Sequence, residues 1–216
     1  MHFERFDEVD PDVRRVIEHW YREASGDRDC GPRESFSPFL HLWIAFNGWI
    51  ACCGDDERDG DLVKRAASSE LLVSRFDAMR RSRVFEEDLQ RFAQWWPIFS
   101  ASDARKKRRR YPDLGPFIDR LGVLATRREA SNRLAFSNPD RVNHLPMPPD
   151  RTIANDRIDL TSLHTMLAIY QIRSNLFHGG KAPGIGGDAE LVWRSYRILS
   201  AWLEGIEPFS GWNRLG

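Results

Sequence analysis

Residues 160–178 read LTSLHTMLAIYQIRSNLFH, and this stretch decides the fold class. Its apolar side chains recur every three or four residues, as they do on one face of a helix. Asp159 or Thr161 can cap its start, and Gly179-Gly180 supplies the glycine that commonly follows a helix C-terminus. The stretch therefore predicts a helix with one broad face in a core. That face consists of Leu163, Met166, Leu167, Tyr170 and Phe177, widened by Ile169, Ile172 and Leu176.

Helical patterns of the same kind cover much of the remaining chain. A second helix is predicted to start at Ser35 or Ser37, and from Phe39 to Ile50 it is apolar almost all round, which suggests a central position in a bundle. No segment shows the alternating pattern of a strand. The sequence therefore predicts an all-α fold, a single bundle of about six or seven helices. The other predicted helices cover 11–24 after an Asp10 cap, 62–79, 84–96, 113–123, and 189–203 after an Asp188 cap.

The chain of 216 residues suits a single helical domain over 1–216. Two segments interrupt the helical patterns: a basic segment at 105–133 and a Pro-rich segment at 137–158. We interpret the Pro-rich segment as an extended connector across the bundle, because too little chain follows it to build a second core.

Charge and cysteine content indicate the cellular compartment rather than the function. Basic and acidic residues balance at 32 each, so the net charge indicates no class of partner. The three cysteines are odd in number and lack framework spacing, which is typical of a reduced, cytoplasmic chain. The start lacks the apolar core of a signal peptide, and the stretch 39–53 is too short and too polar to span a bilayer. The sequence therefore predicts a cytoplasmic protein with no membrane partner.

Arg173 and His178, at the end of the helix predicted over 160–178, form the motif with clear chemical content. Histidine is an acid and base near neutral pH, and arginine binds phosphate oxygens. Together they suit metal-free RNA cleavage, in which the 2′-OH is the nucleophile. Five residues on a regular helix rotate by about 140°, so the pair converges only if the helix opens at His178 or if two copies of the chain meet. The alternative is that both residues are the polar end of an amphipathic helix.

The wider string Tyr170-Gln171-Ile172-Arg173-Ser174-Asn175-Leu176-Phe177-His178-Gly179-Gly180-Lys181 resembles the core signature of HEPN domains. The string Leu42-Trp43-Ile44-Ala45-Phe46-Asn47 and a final helix after a Gly/Pro loop resemble further parts of that family, in the same order and with similar separation. The resemblance covers about residues 35–53 and 160–206, and the middle of the chain matches weakly.

The resemblance implies an all-α bundle, a homodimer whose two Arg-x4-His motifs face a shared cleft, and a metal-independent endoribonuclease without a cofactor. Carried onto this chain, it makes Arg173 and His178 catalytic and predicts a 2′,3′-cyclic phosphate product. It is consistent with a toxin or defence protein controlled by an antitoxin or regulatory protein. Because some family members are inactive, the alternative is a non-catalytic module that dimerises or binds RNA.

Further residues are candidates for supporting the site or binding RNA. Asn47 is either a hydrogen-bonded core amide or part of the site, and Ser174, Asn175 and Lys181 flank the motif. The basic segment 105–133 holds ten lysine and arginine residues against three acidic ones, so it is either an RNA-binding surface or a solvated loop. No pair of histidine or acidic residues has metal-ligand spacing. The basic run itself is Arg105, Lys106, Lys107, Arg108, Arg109 and Arg110.

Overall fold

The computed structural model describes residues 1–26, 30–55, 58–93, 151–152, 157–158, 160–177 and 186–212. These residues are mostly helical, which confirms the predicted all-α class. The basic run at 105–110, the helix predicted at 113–123 and most of the Pro-rich segment lie outside them. In chain order, the elements are a 3-10 helix (Phe3–Glu8), α1 (Pro11–Ser25), α2 (Phe36–Cys53), α3 (Asp59–Ala67), α4 (Glu70–Met79), α5 (Arg83–Ala93), β1 (Arg151–Thr152), β2 (Arg157–Ile158), α6 (Ser162–Phe177), α7 (Gly186–Glu204) and α8 (Phe209–Trp212).

Local capping explains where two of the predicted helices begin. Asp10 accepts a hydrogen bond from the backbone N–H of Asp12 at 2.7 Å, and Pro11 occupies the first helical position of α1. Thr161 accepts one from the backbone N–H of His164 at 3.3 Å and so caps α6. These side chains satisfy backbone donors that the first turn of a helix leaves without a partner.

The single helix predicted over 62–79 is wrong, because the structure has two helices, α3 and α4, with a break at Ser68 and Ser69. The Ser69 hydroxyl donates to the carbonyl of Ala66 at 2.6 Å and accepts from the backbone N–H of Leu72 at 3.4 Å. Serine competes in this way with the helical hydrogen bonds of its own backbone. The apolar spacing continues across the break, which is why periodicity alone missed it.

Three further details differ from the sequence-based expectations. Helix α7 begins at Gly186, so Asp188 lies inside its first turn rather than at its cap, where its charge still suits the helix dipole. Phe177, predicted in the buried stripe of α6, is 57% exposed. Strands β1 and β2, at the end of the Pro-rich segment, form an antiparallel pair in which Arg151 faces Ile158.

Helix α2 lies in the middle of the core, as its apolar composition predicted, and packs against α1, α3 and α7. The expectation that 39–53 is too short and too polar to span a bilayer is wrong: α2 is, within the described residues, the one helix with the length and hydropathy to cross a membrane. Half of it is buried inside the protein. Its packing on three sides is that of a core helix. The largest fully buried side chains include Trp43, Trp49, Trp202, Tyr21 and Tyr196.

Hydrogen bonds from buried side chains fix how the helices meet. Trp202 of α7 donates its indole N–H to the carbonyl of Leu72 in α4 at 2.9 Å, and the Tyr196 hydroxyl donates to the carbonyl of Ala24 in α1 at 2.6 Å. Each bond satisfies a polar group that burial would otherwise leave without a partner. Helix α7 is therefore anchored to both α4 and α1.

Candidate functional site

Helix α6 carries Arg173 and runs antiparallel to α3. At one end, the Ser162 hydroxyl, in the first turn of α6, donates to the carbonyl of Ala67, the last residue of α3, at 2.6 Å. At the other end, Nη2 of Arg173 lies 3.8 Å from Oδ2 of Asp59, the first residue of α3. The two contacts fix the position of Arg173 relative to the N-terminus of α3.

The guanidinium group of Arg173 lies among aromatic rings. Its central carbon is 4.7 Å from the ring centre of Phe177, one turn further along α6, and 5.9 Å from that of Trp43 in α2. The ring of Trp43 is itself 5.9 Å from the ring of Tyr170. Aromatic faces attract a cation, and they also restrict the rotamers of the side chain that carries it. Arg173 is therefore held in place by Phe177 and Trp43 as well as by Asp59.

The guanidinium retains donors for a ligand. The distance of 3.8 Å to Asp59 is longer than a hydrogen bond, so the two groups form an ion pair without a direct N–H···O contact. Among the residues that the structure describes, the buried Nε of Arg173 has no hydrogen-bond partner either. One quarter of the Arg173 side chain is exposed. This arrangement suits the binding of an oxyanion such as phosphate.

The structure describes only part of the predicted site. Asn47 lies one turn after Trp43 on α2, and the two therefore share a face of that helix. Its buried Oδ1 has no partner within the described part of the chain. Ser174 is half-buried beside Arg173. His178, Lys181, the side chain of Asn175 and the basic residues 105–110 lie outside the described residues.

Asp59 is a site residue that sequence reasoning missed. In the sequence it belongs to an acidic run that the pattern assigns to a solvated loop at 54–61. The structure instead places it in the first turn of α3, where a carboxylate suits the helix dipole. No local signal marks its partner, because Arg173 lies more than a hundred residues further along the chain.

The other described acidic side chains near Asp59 have basic partners of their own. Asp55 forms an ion pair with Arg5, and the guanidinium group lowers the pKa of the Asp55 carboxyl. Asp61 lies 3.5 Å from Lys64 on the same helix. These pairs reduce the negative field at this end of α3. No three histidine, cysteine or acidic side chains group to hold a metal ion within the ranges described.

One further pair of reactive side chains and one thiol are weaker candidates for catalysis. Ser37 Oγ is 3.4 Å from Nε2 of His41, but the buried Nδ1 of this histidine meets no hydrogen-bond partner in the described residues, so a serine, histidine and acid triad is not assembled there. Burial raises the pKa of the Cys53 thiol to about 12. Because the thiolate is the nucleophile, Cys53 is a poor candidate for covalent catalysis.

The chain matches no protein-family model, and comparisons with curated proteins and with solved structures find no significant match.

Proposed function

We propose that this protein is a metal-independent endoribonuclease of HEPN type, with Arg173 and His178 as its catalytic residues. The observation that carries the proposal is the guanidinium of Arg173, which is held among aromatic rings and has donors without partners among the described residues. His178 is the residue after Phe177, whose ring lies against that guanidinium. The resemblance of residues 170–181 to the HEPN signature supplies the rest of the assignment.

The chemistry follows from the two side chains. His178 removes the proton of the 2′-OH, and O2′ attacks the adjacent phosphorus. The bond from phosphorus to the 5′-oxygen breaks, and that oxygen receives a proton from the protonated histidine. The products are a 2′,3′-cyclic phosphate and a 5′-hydroxyl. Arg173 binds the non-bridging oxygens as their negative charge increases, and a planar fork of donors matches that geometry.

A homodimer is part of the proposal, and exposed apolar side chains on α1 and α2 support it. Ile44 of α2 is 39% exposed, and Val13 and Val16 of α1 are 44% and 56% exposed. We assign these exposed side chains to contacts with a second copy of the chain in a two-fold arrangement. The α2 face also carries Asn47, whose buried Oδ1 has no partner within the described ranges. In this dimer, as the HEPN resemblance implies, the two Arg-x4-His motifs would face a shared cleft.

The cellular role follows from the resemblance. We infer a cytoplasmic toxin or defence ribonuclease, with an antitoxin or regulatory protein as its second partner and no cofactor. Arg105 to Arg110 would contribute phosphate contacts that increase affinity without reading sequence.

The rival function is a non-catalytic HEPN-like module that dimerises or binds RNA. The observation that favours it is the contact between Arg173 and Asp59, because an arginine with a carboxylate and two aromatic rings around it also suits a purely structural role. The module would bind RNA and leave it intact, so a cleavage assay separates the two proposals.

The test is incubation of the purified full-length chain with mixed RNA in EDTA. We expect cleavage that leaves 2′,3′-cyclic phosphate ends and that stops when the cleaved position carries deoxyribose. His178→Ala and Arg173→Ala should each lose about 10²–10⁴-fold in rate, the range for a general acid or base. Arg173→Lys should recover only part of the loss, because a point charge replaces a planar fork.

Arg83→Ala is the matched control, because Arg83 is a surface arginine paired with Glu87 and distant in sequence from the motif. It should cleave at the unmodified rate, and circular dichroism should show that all variants fold. Undiminished cleavage by the double variant Arg173→Ala/His178→Ala would refute the assignment. Binding without cleavage by the unmodified protein would favour the rival module.

A further inference from the structure

A cleft lies between α5 and α7, away from the elements that hold Arg173. It has a volume of about 240 Å³, close to the lower end of the range for small-molecule sites. Val84 and Phe85 line it from the first turn of α5, and the α7 side is polar. That side presents Arg197, Ser200 and Glu204.

Arg197 is fixed in position by a buried carboxylate. Its Nε donates to Oδ2 of Asp88 at 2.7 Å, and Nη1 of Arg194 donates to the other carboxylate oxygen. Its guanidinium carbon also lies 5.0 Å from the ring centre of Trp193. Holding an arginine in advance removes much of the entropy cost of ordering it around a ligand.

Several donors at this cleft have no protein partner among the described residues. Within the ranges that the structure covers, Arg197 makes its hydrogen bond through Nε, so both of its Nη groups remain available. The hydroxyls of Ser82 and Ser200, which also line the cleft, make no hydrogen bond to those residues. The cleft therefore combines a fixed cation and neutral donors with one buried carboxylate, Asp88, which also lines it and whose single charge Arg194 and Arg197 share.

The start of α5 adds positive potential to the same place. The carbonyl of Ser82 accepts from the backbone N–H of Glu86 at 3.0 Å, so Ser82 occupies the cap position of this helix. Backbone N–H groups of a first turn have no partner within their helix, and the dipole of the helix favours an anion there. Val84 and Phe85, in that first turn, line the cleft opposite Arg197.

We propose that this cleft binds the anionic group, a carboxylate or phosphate, of a small metabolite. The Nη groups of Arg197 and the hydroxyls of Ser82 and Ser200 donate to the anion. Glu204 lies on the same face of α7, two turns or about 10 Å further along, and lines the other end of the cleft. Its carboxylate disfavours a second negative charge and favours an amine or hydroxyl, so the ligand is short and has one anionic end and one donor end.

The test is titration of the full-length protein with inorganic phosphate, ethyl phosphate and phosphoethanolamine. Calorimetry measures affinity, and the NMR signal of the Trp193 indole N–H reports binding beside Arg197. We expect all three probes to bind at millimolar concentration or tighter, with phosphoethanolamine the tightest. Arg197→Gln should weaken binding at least tenfold and Ser200→Ala severalfold. Glu204→Gln should remove the preference for phosphoethanolamine over ethyl phosphate.

Ser200→Ala leaves the hydrogen bonds of Asp88 intact, so it tests the cleft even if Arg197→Gln fails to fold. Arg83→Ala is the control, because Arg83 belongs to the start of α5 but does not line the cleft. It should bind the probes like the unmodified protein. No shift of the Trp193 signal with any probe would overturn the proposal. Unchanged affinity in both Ser200→Ala and a folded Arg197→Gln would overturn it as well.

Discussion

The guanidinium of Arg173 and the carboxylate of Asp59 lie 3.8 Å apart, although the two residues belong to different helices and to distant parts of the sequence. This contact holds the C-terminal turns of α6 against the N-terminus of α3. In the proposed ribonuclease it has a second consequence, because Asp59 competes with phosphate for the same cation. Asp59 would therefore weaken RNA binding as well as position Arg173.

Replacing Asp59 with asparagine should strengthen RNA binding. The change removes a negative charge that competes for Arg173 and repels the RNA backbone, while the size of the side chain is unchanged. We expect a gain of roughly two- to fivefold, the scale of a partly exposed ion pair, measured by fluorescence anisotropy at low and physiological salt. Asp61→Asn is the control, because it removes the same charge from a residue that already pairs with Lys64. Equal gains in both variants would show a general field effect rather than competition at Arg173.

Asp88→Ala should strongly destabilise the fold. Asp88 is 6% exposed and receives hydrogen bonds from Arg194 and Arg197. Its removal leaves the buried cation of Arg194 with Glu190 as its one ion-pair partner among the described residues. Removing one partner of a buried ion pair lowers the unfolding free energy by about 3 kcal/mol or more, which urea denaturation would measure. Glu87→Ala, one residue earlier on an exposed face, should change the unfolding free energy little. Similar values for the two variants would contradict a structural role for Asp88.

Ser69→Ala should weaken the junction between α3 and α4. The substitution removes the hydroxyl that accepts from Leu72 and donates to Ala66. Loss of an N-cap of this kind lowers the unfolding free energy by about 1 kcal/mol. The neighbouring Ser68→Ala, at an exposed position that ends α3, is the matched control and should have a smaller effect in the same urea titration. A larger effect at Ser68 would place the cap one residue earlier.

Cys53 should resist alkylation in the folded protein. Burial raises the pKa of its thiol from 9.0 to about 12, so the reactive thiolate is scarce at neutral pH. Iodoacetamide at pH 7.5 should modify Cys30, which is partly exposed, and leave Cys53 unmodified until denaturant is added. Peptide mass spectrometry would identify the sites. Rapid native labelling of Cys53 would contradict its burial.

The raised pKa of the Cys53 thiol also predicts a loss of stability at alkaline pH. The pKa of the Cys53 thiol is higher in the folded state than in the unfolded state, so the protonated thiol stabilises the folded protein. This contribution to the unfolding free energy is complete below about pH 9. It is lost as the pH rises from 9.0 toward 12. The melting temperature of Cys53→Ala should therefore fall less steeply between pH 8.5 and 10.5 than that of the unmodified protein. Parallel curves would assign the alkaline loss to other groups.

Periodicity and capping residues predicted a large part of the described fold. The starts of α1 and α6 follow from Asp10 and Thr161, whose side chains bond to backbone only a few residues away. The central place of α2 follows from its apolar composition. The break at Ser69 did not follow, because helix and turn compete there for the same backbone groups and the apolar spacing is compatible with both.

The sequence by itself determined the helical class, the core position of α2 and the candidate role of Arg173, because each depends on residues close together in the chain. Only the tertiary structure decided that Asp59 faces Arg173, that Asp88 binds two arginines of α7, and that Phe177 is exposed. These outcomes depend on how the helices pack. Side chains that are far apart in sequence acquire partners only when burial of the apolar faces fixes the positions of the helices.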